Sequence, residues 1–419
     1  MSSLERTADD TSLPTDLIRK LLRSLEEDLP RAVTLRERLH ASPEPSHGEH
    51  ATAGLVAEAL GVGGMERVVR TGLLARVGPP GEAVAVRAEL DALPIREETC
   101  SPFAATNALM HACGHDVHMA ALAALFLAAG RIEGSLTKPL AALYQPSEEA
   151  YPSGADLVVR EGMLAEGTGA VVAAHVHPEI SWGSVSVEAG AVNASSDNLR
   201  IVVEGSGGHG AYPHRAHDPI LALAHAVVAL QSLVSRRLDP MHAAVFSVGW
   251  VRAGSAENVI PGTAEAGGML RVLEPEDREP LRKMACEIVE NTARAHGCAA
   301  RVEVTKGEPA TVNDPALAEA AHTLLPEAGF ELAPAMRSCG SDDFGFYGRM
   351  APTLMLFVGI KDGPDTTNVP LHHPQFLPPG EAVGAVARAQ AVAFAAAASR
   401  PLTTHPVTWD RLAGPTTGA

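Results

Sequence analysis

Between Asn193 and Lys306 the sequence reads strand, helix, strand, strand, helix, strand, an order that constrains the fold more than any other feature of the chain. NLRIVVEG has strand composition, and DPILALAHAVVALQSLVSRR is a long helix whose start is signalled by Asp218 and Pro219. AAVFSVGWVRAG and TAEAGGMLRVL follow as strands. EPEDREPLRKMACEIVENTARAHG is a helix with acids at its start and Gly297 at its end, and AARVEVTKG is the closing strand. This is the split βαβ, or ferredoxin-like, plan. It closes on itself without the flanking sequence, so roughly 193–306 is expected to be an inserted domain.

The flanks carry a different rhythm. Leu17 to His40 has apolar residues at three- and four-residue spacing and predicts one helix, and a second is expected from about His50 to Leu60. LLARVG and AVAVRAELDALP read as strands around a Pro-Gly turn, Val117 to Ala129 as an apolar helix, and PLAALYQP and VVAAHVHP as further strands. After the insertion come helix PALAEAAHTLLPEAG, strand PTLMLFVG and helix GEAVGAVARAQAVAFAAAAS. Strands alternating with helices imply an α/β domain with a central sheet. The expected division is a catalytic domain in two parts, 1–192 and 307–400, the inserted domain at 193–306, and a Pro/Thr/Gly-rich tail at 401–419.

Composition narrows the function. A formal net charge of −17 repels phosphate backbones and anionic lipid, and 4% aromatic residues argues against stacking platforms for nucleic acid. The five cysteines, Cys100, Cys113, Cys286, Cys298 and Cys339, are odd in number and irregularly spaced, unlike a disulfide framework. The start MSSLERTADDTS lacks the basic and apolar parts of a signal peptide, and the greasy stretch Met119 to Ala129 is too short to span a bilayer. A reducing, cytoplasmic setting is expected, with no nucleic acid and no membrane as partner.

Chemistry-bearing residues recur where strands end. In Met110-His111-Ala112-Cys113-Gly114-His115-Asp116-Val117-His118, Cys113 and His115 stand two apart, so in an extended segment both side chains leave on one side and can share an ion. Gln145-Pro146-Ser147-Glu148-Glu149 follows an apolar strand, and adjacent carboxylates pointing opposite ways can divide metal binding from base catalysis. Ala174-His175-Val176-His177-Pro178 and Leu371-His372-His373-Pro374 each offer two histidines. Any one of these alone is more simply a polar turn or a solvated pair. Cys, His and Glu together suit borderline divalent ions, and strand ends converge in space. In Arg87-Ala88-Glu89-Leu90-Asp91, Asp91 suits a carboxylate that orients a ligand, while a solvated face is a fair rival for Glu89. His209, among the glycines of GSGGHGAYPH, sits on a backbone that can reach toward a ligand; that spacing does not fit a phosphate-binding loop.

Taken in order, RERLHASPE, TGLLARVG, RAELDALPIREE, MHACGHDVHMA, QPSEE, HVHP, GSGGHGAYPH, AENVIPGTAEAGGMLR, SDDFGFY and LHHPQF resemble the M20 metallopeptidase family, in its amidohydrolase branch of auxin-conjugate, hippurate and N-acyl-amino-acid hydrolases. The resemblance covers nearly the whole chain. It implies a zinc-peptidase-like α/β catalytic domain interrupted by a ferredoxin-like lid that often dimerises, giving a homodimer or homotetramer. Carried over by motif, Cys113, His115, Glu149, His175 and His372 are metal ligands and Glu148 is the general base. His177 and His373 are the alternatives within their pairs. His209 resembles a lid histidine that holds the substrate carbonyl, in some members across the dimer, and Asn258 of NVIP a residue that binds the substrate's carboxylate or carbonyl oxygen. Glu89 stands where many relatives have aspartate.

The expected chemistry is amide hydrolysis of a small N-acyl amino acid by water activated between two divalent ions, zinc or manganese, with cobalt and nickel also open. A carboxypeptidase or dipeptidase of the same family is the nearest alternative. A non-catalytic metal-binding protein is disfavoured, because the base and all five ligand positions are present.

Overall fold

The structure, a computed structural model, describes residues 12–164, 167–366 and 368–401. The tail from 402 onward lies outside them, as do residues 1–11. The described residues fall into two compact units, one drawn from 12–190, 312–336 and 346–401, the other from 191–311 and 337–345.

The first unit is built on an eight-stranded sheet in the order Glu66–Val68, Gly72–Val77, Leu140–Gln145, Ala83–Glu89, Thr168–Ser181, Thr353–Lys361, Ser184–Ser186, Glu331–Leu332. Its four central strands, Leu140–Gln145 to Thr353–Lys361, run parallel. Ala83–Glu89 and Leu140–Gln145 are buried along their whole length, the mark of parallel strands covered on both faces. Helices His115–Arg131 and Ala382–Ala398 pack together against the sheet. Every residue of Ala382–Ala398 except Arg388 is buried, and its small side chains permit that close packing. Because Ala83–Glu89, Leu140–Gln145 and Thr168–Ser181 are parallel, their carboxyl ends share one edge, where open α/β sheets place their sites.

One helix expectation needs correction here, and one helix is additional. Leu17 to His40 is two helices, Ser12–Leu25 and Leu29–Ala41, because Pro30 lacks an N–H and fits only a first turn. The short helix Gly154–Arg160 carried too little periodic signal to be expected.

The second unit has a four-stranded antiparallel sheet in the order Ala244–Ala253, Thr263–Val272, Ser195–Glu204, Ala299–Lys306. Helices Pro219–Leu230 and Pro275–Ala295 complete the ferredoxin-like plan. Asp218 caps the first of these, accepting from Ile220 N at 2.8 Å and Leu221 N at 3.3 Å. The expected single helix there is split at Gln231 into Pro219–Leu230 and Ser232–Arg237. Segment 337–345 groups with this unit, where Ala194 N donates to Ser338 O and Gly340 O, both at 3.0 Å. No helix among the described residues is long and apolar enough to cross a membrane.

Candidate metal centre and active site

Cys113 and His115 come together differently from the extended-segment expectation. Cys113 lies in a turn and His115 opens helix His115–Arg131, with Gly114 between them at φ 88°. A Cβ at Gly114 would meet Val176 Cγ2 at 2.6 Å, so both the backbone conformation and the space call for glycine.

Hydrogen bonds fix which nitrogen each histidine offers. His115 Nδ1 lies 2.8 Å from Asp91 O. A carbonyl only accepts, so Nδ1 carries the proton and Nε2 presents its lone pair. That Nε2 is buried without a hydrogen-bond partner and lies 3.8 Å from Glu148 Oε2. The same logic holds at His175, whose Nδ1 is 2.7 Å from Val176 O and whose Nε2 faces Cys113 Sγ at 3.5 Å. His372, at φ 63°, is anchored by its own N–H to Ala112 O at 2.8 Å. Its Nε2 stands 3.3 Å from Glu149 Oε1, a buried oxygen with no hydrogen bond of ordinary geometry.

Ligand atoms within 4.8 Å of one another form the overlapping groups Cys113–His115–His175, Cys113–Glu149–His372 and His115–Glu148–Glu149. All five residues expected as ligands, and the expected base, therefore meet in one place. His177 and His373 are in none of the groups among the described residues; their Nδ1 atoms accept from Glu179 N at 3.3 Å and Gln375 N at 3.2 Å.

The site's charge also suits a cation. Burial disfavours charge on His115, yet Glu89, Asp91 and Glu149 outweigh it and raise its proton affinity. Burial pushes the Glu149 carboxyl up, but His372 and His115 beside it hold it below the ordinary range. His175 is pushed well below the usual imidazole range, first by burial and then by His118. The buried His115 Nε2, without a hydrogen-bond partner, in a thiol, imidazole and carboxylate set fits divalent ions such as zinc.

Two acids of RAELD are buried beside the ligands. Asp91 orients His115 through its backbone oxygen, while its carboxylate Oδ2 accepts from Ser46 Oγ at 2.7 Å and Glu149 N at 2.9 Å. Glu89 is no solvated acid; it is 2% exposed and pairs with Arg87 and with His118 Nδ1, the latter at 2.8 Å. Burial opposes charge there, and Arg87 and His118 outweigh it, holding the carboxyl well below the usual range.

The sequence reading assigned no role to several residues that shape the site. His118 accepts from Val176 N at 3.1 Å through Nε2 and meets Glu89 through Nδ1, so both nitrogens are committed to holding the strand beside His175. Its position one helical turn after His115 was the available signal. Asp116 Oδ2 binds Arg36 Nε at 2.6 Å and His40 Nδ1 at 2.8 Å; His40 Nε2 reaches Glu97 at 3.1 Å, and Arg36 Nη2 donates to Pro378 O at 3.0 Å. This buried network ties the start of helix His115–Arg131 to the chain just after His372.

In the second unit His209 and Asn258 are both exposed. Ala211 N donates to His209 Nδ1 at 3.0 Å, which leaves Nε2 to carry the proton, and Gly210 N donates to Asn258 O at 2.7 Å.

Residues 85–393 match the model of Peptidase family M20/M25/M40. The chain is 33% identical over 361 residues to the N-acetyl-L-cysteine deacetylase of Bacillus subtilis (strain 168), covering 85% of this chain and 84% of that protein. It is 31% identical over 384 residues to an N-acetyldiaminopimelate deacetylase of Bacillus licheniformis, covering 88% and 100%. The crystal structure of the Bacillus subtilis YXEP protein, a dinuclear metal binding peptidase from the M20 family, superposes with a TM-score of 0.77 at 28% identity, over 88% of this chain and 98% of that one. Fold, site and relatives make this protein a metal-dependent amidohydrolase. It belongs to the peptidase family M20/M25/M40.

Proposed function

We propose that this protein hydrolyses the amide bond of small N-acyl amino acids, with Glu148 as general base beside two divalent ions held by Cys113, His115, Glu149, His175 and His372. The observation that carries this reading is the position of Glu148. Its Oε2 lies 3.8 Å from the unpartnered His115 Nε2, and its side chain is 12% exposed, at the site and open to water. The relatives named as deacetylases of N-acetylated amino acids support the substrate class.

Divalent ions bound there would lower the pKa of a water and polarise the amide carbonyl. Glu148 takes the proton of the attacking water and delivers it to the leaving amine. Asp91 holds the N–H of Glu149, which keeps the two adjacent carboxylates in separate roles. His209 offers its Nε2–H to the carbonyl oxygen as negative charge develops, and one such donor is typically worth ~3–4 kcal/mol. Asn258 binds the substrate's carboxylate or carbonyl oxygen. Zinc or manganese is the proposed metal, with cobalt and nickel also compatible, and the cytoplasm the proposed location.

The second unit is proposed as a dimerisation surface. Ala244–Ala253 is an edge strand with Trp250 and Val251 exposed, and helix Pro219–Leu230 exposes Leu221 and Val228, an apolar face that a second copy could cover. Light scattering on the purified protein tests this, with a monomer at micromolar concentration as the contrary result.

Initial rates on N-acetyl and N-benzoyl amino acids, compared with dipeptides, test the substrate class. This reading expects the N-acyl amino acids to be the better substrates. Faster dipeptide cleavage would move the assignment to a peptidase.

A further inference from the structure

Glu49 stands at the N-cap of helix His50–Leu60, yet its carboxylate does not cap that helix. It is 0% exposed and turns toward the loop that carries Glu148 and Glu149. Oε1 accepts from Ser147 N at 2.8 Å, His47 N at 2.9 Å and Ser147 Oγ at 3.2 Å, while Oε2 accepts from Thr71 Oγ1 at 2.7 Å. Burying a carboxylate is costly unless hydrogen bonds satisfy it, and here four do.

What those bonds hold is unusual backbone. Ser147 has φ 54° and His47 φ 65°, left-handed conformations that non-glycine residues adopt at a cost of ~1–3 kcal/mol and keep only where the surroundings impose them. His47 N also donates to Ser147 Oγ at 2.7 Å. On the other side of Glu148, Glu149 N is fixed by Asp91. The residue on each side of Glu148 is thus anchored through its N–H by a different buried carboxylate.

We propose that Glu49 is a positioning residue for the general base: it holds Ser147 in its left-handed conformation and so aims the Glu148 carboxylate, without itself touching substrate or metal. The proposal rests on the reading of Glu148 as the base. It separates the two anchors by function. Asp91 orients both a ligand and the Glu149 peptide, so its loss reaches the metal; Glu49 contacts only the Ser147 side, so its loss reaches turnover.

The test uses full-length, metal-loaded protein. Glu49→Ala, Glu49→Gln and Thr71→Val are compared with wild type by kcat and KM on an N-acetyl amino acid, metal content per chain, and hydrogen exchange of peptides spanning 145–150. Misplacing a catalytic group by about 1 Å costs on the order of a hundredfold. Glu49→Ala is expected to lose about that much in kcat, with KM and metal content close to wild type and faster exchange at Ser147. The amide oxygen of Glu49→Gln can still accept the three Oε1 bonds, so it should restore most of the rate. Thr71→Val removes only the Oε2 bond and covers the case in which Glu49→Ala does not fold; it should show a smaller kcat loss with faster exchange. Unchanged exchange at Ser147 in Glu49→Ala and Thr71→Val would overturn the proposal, as would metal lost in step with kcat. If Glu148→Gln turned over like wild type, the reading of the base would fall, while the exchange data would still report whether Glu49 anchors Ser147.

Discussion

Gly154 offers a sharp test of how closely the base loop is packed. It begins helix Gly154–Arg160, and its N–H donates to Ser147 O at 2.8 Å. A Cβ there would sit 1.6 Å from Pro146 O and 2.8 Å from Pro146 C. Reaching even the 3.0 Å limit of real contacts requires a separation of at least about 1.4 Å. Neither side yields easily. Gln145 Oε1 accepts from Arg87 Nε at 3.0 Å and Tyr347 OH at 2.8 Å, and Ser147 is held by Glu49, so the displacement must pass into the segment carrying Glu148. At an unconstrained helical position Gly→Ala stabilises by ~0.5–1 kcal/mol, so helix propensity and packing predict opposite signs. Packing should win: Gly154→Ala is expected to lose about a hundredfold in kcat, ~2.7 kcal/mol of barrier, and to melt below wild type. Steady-state rates on an N-acetyl amino acid and a thermal melt read both effects. A variant with kcat within threefold of wild type and an equal or higher melting temperature would refute the reasoning.

Asp116→Asn keeps the shape of the side chain but removes the anion between Arg36 and His40. Unpairing a buried charge costs ~3–5 kcal/mol, and retention of an acceptor oxygen favours the lower end, a melting shift of about 5 °C for a unit of this size; a shift under 1 °C would count against the network. His118→Phe removes the acceptor of Val176 N and a partner of Glu89, so it should weaken metal affinity by ~10–100-fold while Glu148 remains in place, as read by metal titration. Cys113 is 7% exposed and faces His175, so bound metal should protect it from iodoacetamide and chelation should release it, with peptide mapping separating it from exposed Cys100. Equal labelling of Cys113 with and without metal would contradict its place among the ligands.

The residue types at the site were legible in the sequence because Cys, His and Glu cluster in short motifs, although only Glu148 and Glu149 directly follow a strand, while His175 lies within one and His115 opens a helix. The ferredoxin-like order was legible for a similar reason: its strands and helices have the right periods and clear stop signals. What stayed hidden depended on partners distant in the chain. Glu49 meets Ser147 across 98 positions, and Arg36 meets Asp116 across 80, so neither pair leaves a local pattern. For Glu89 a solvated face stood as a fair rival, because nothing in RAELD announces that His118 will lie beside it. Asp91 holds the N–H of Glu149 through its carboxylate, while its second contact, the backbone carbonyl on His115 Nδ1, depends on the path of the backbone and leaves no local pattern. The way Cys113 and His115 converge likewise depends on the left-handed Gly114, which spacing alone does not specify.

The central claim is that Glu148 is the base of a metal centre built by Cys113, His115, Glu149, His175 and His372. Its most direct test assays wild type and Glu148→Gln side by side, after reconstitution with zinc or manganese, for metal content and for hydrolysis of N-acetyl and N-benzoyl amino acids. The account predicts about two ions per chain in both proteins and turnover only in the wild type. Wild-type turnover by Glu148→Gln, or no metal bound by either protein, would contradict it.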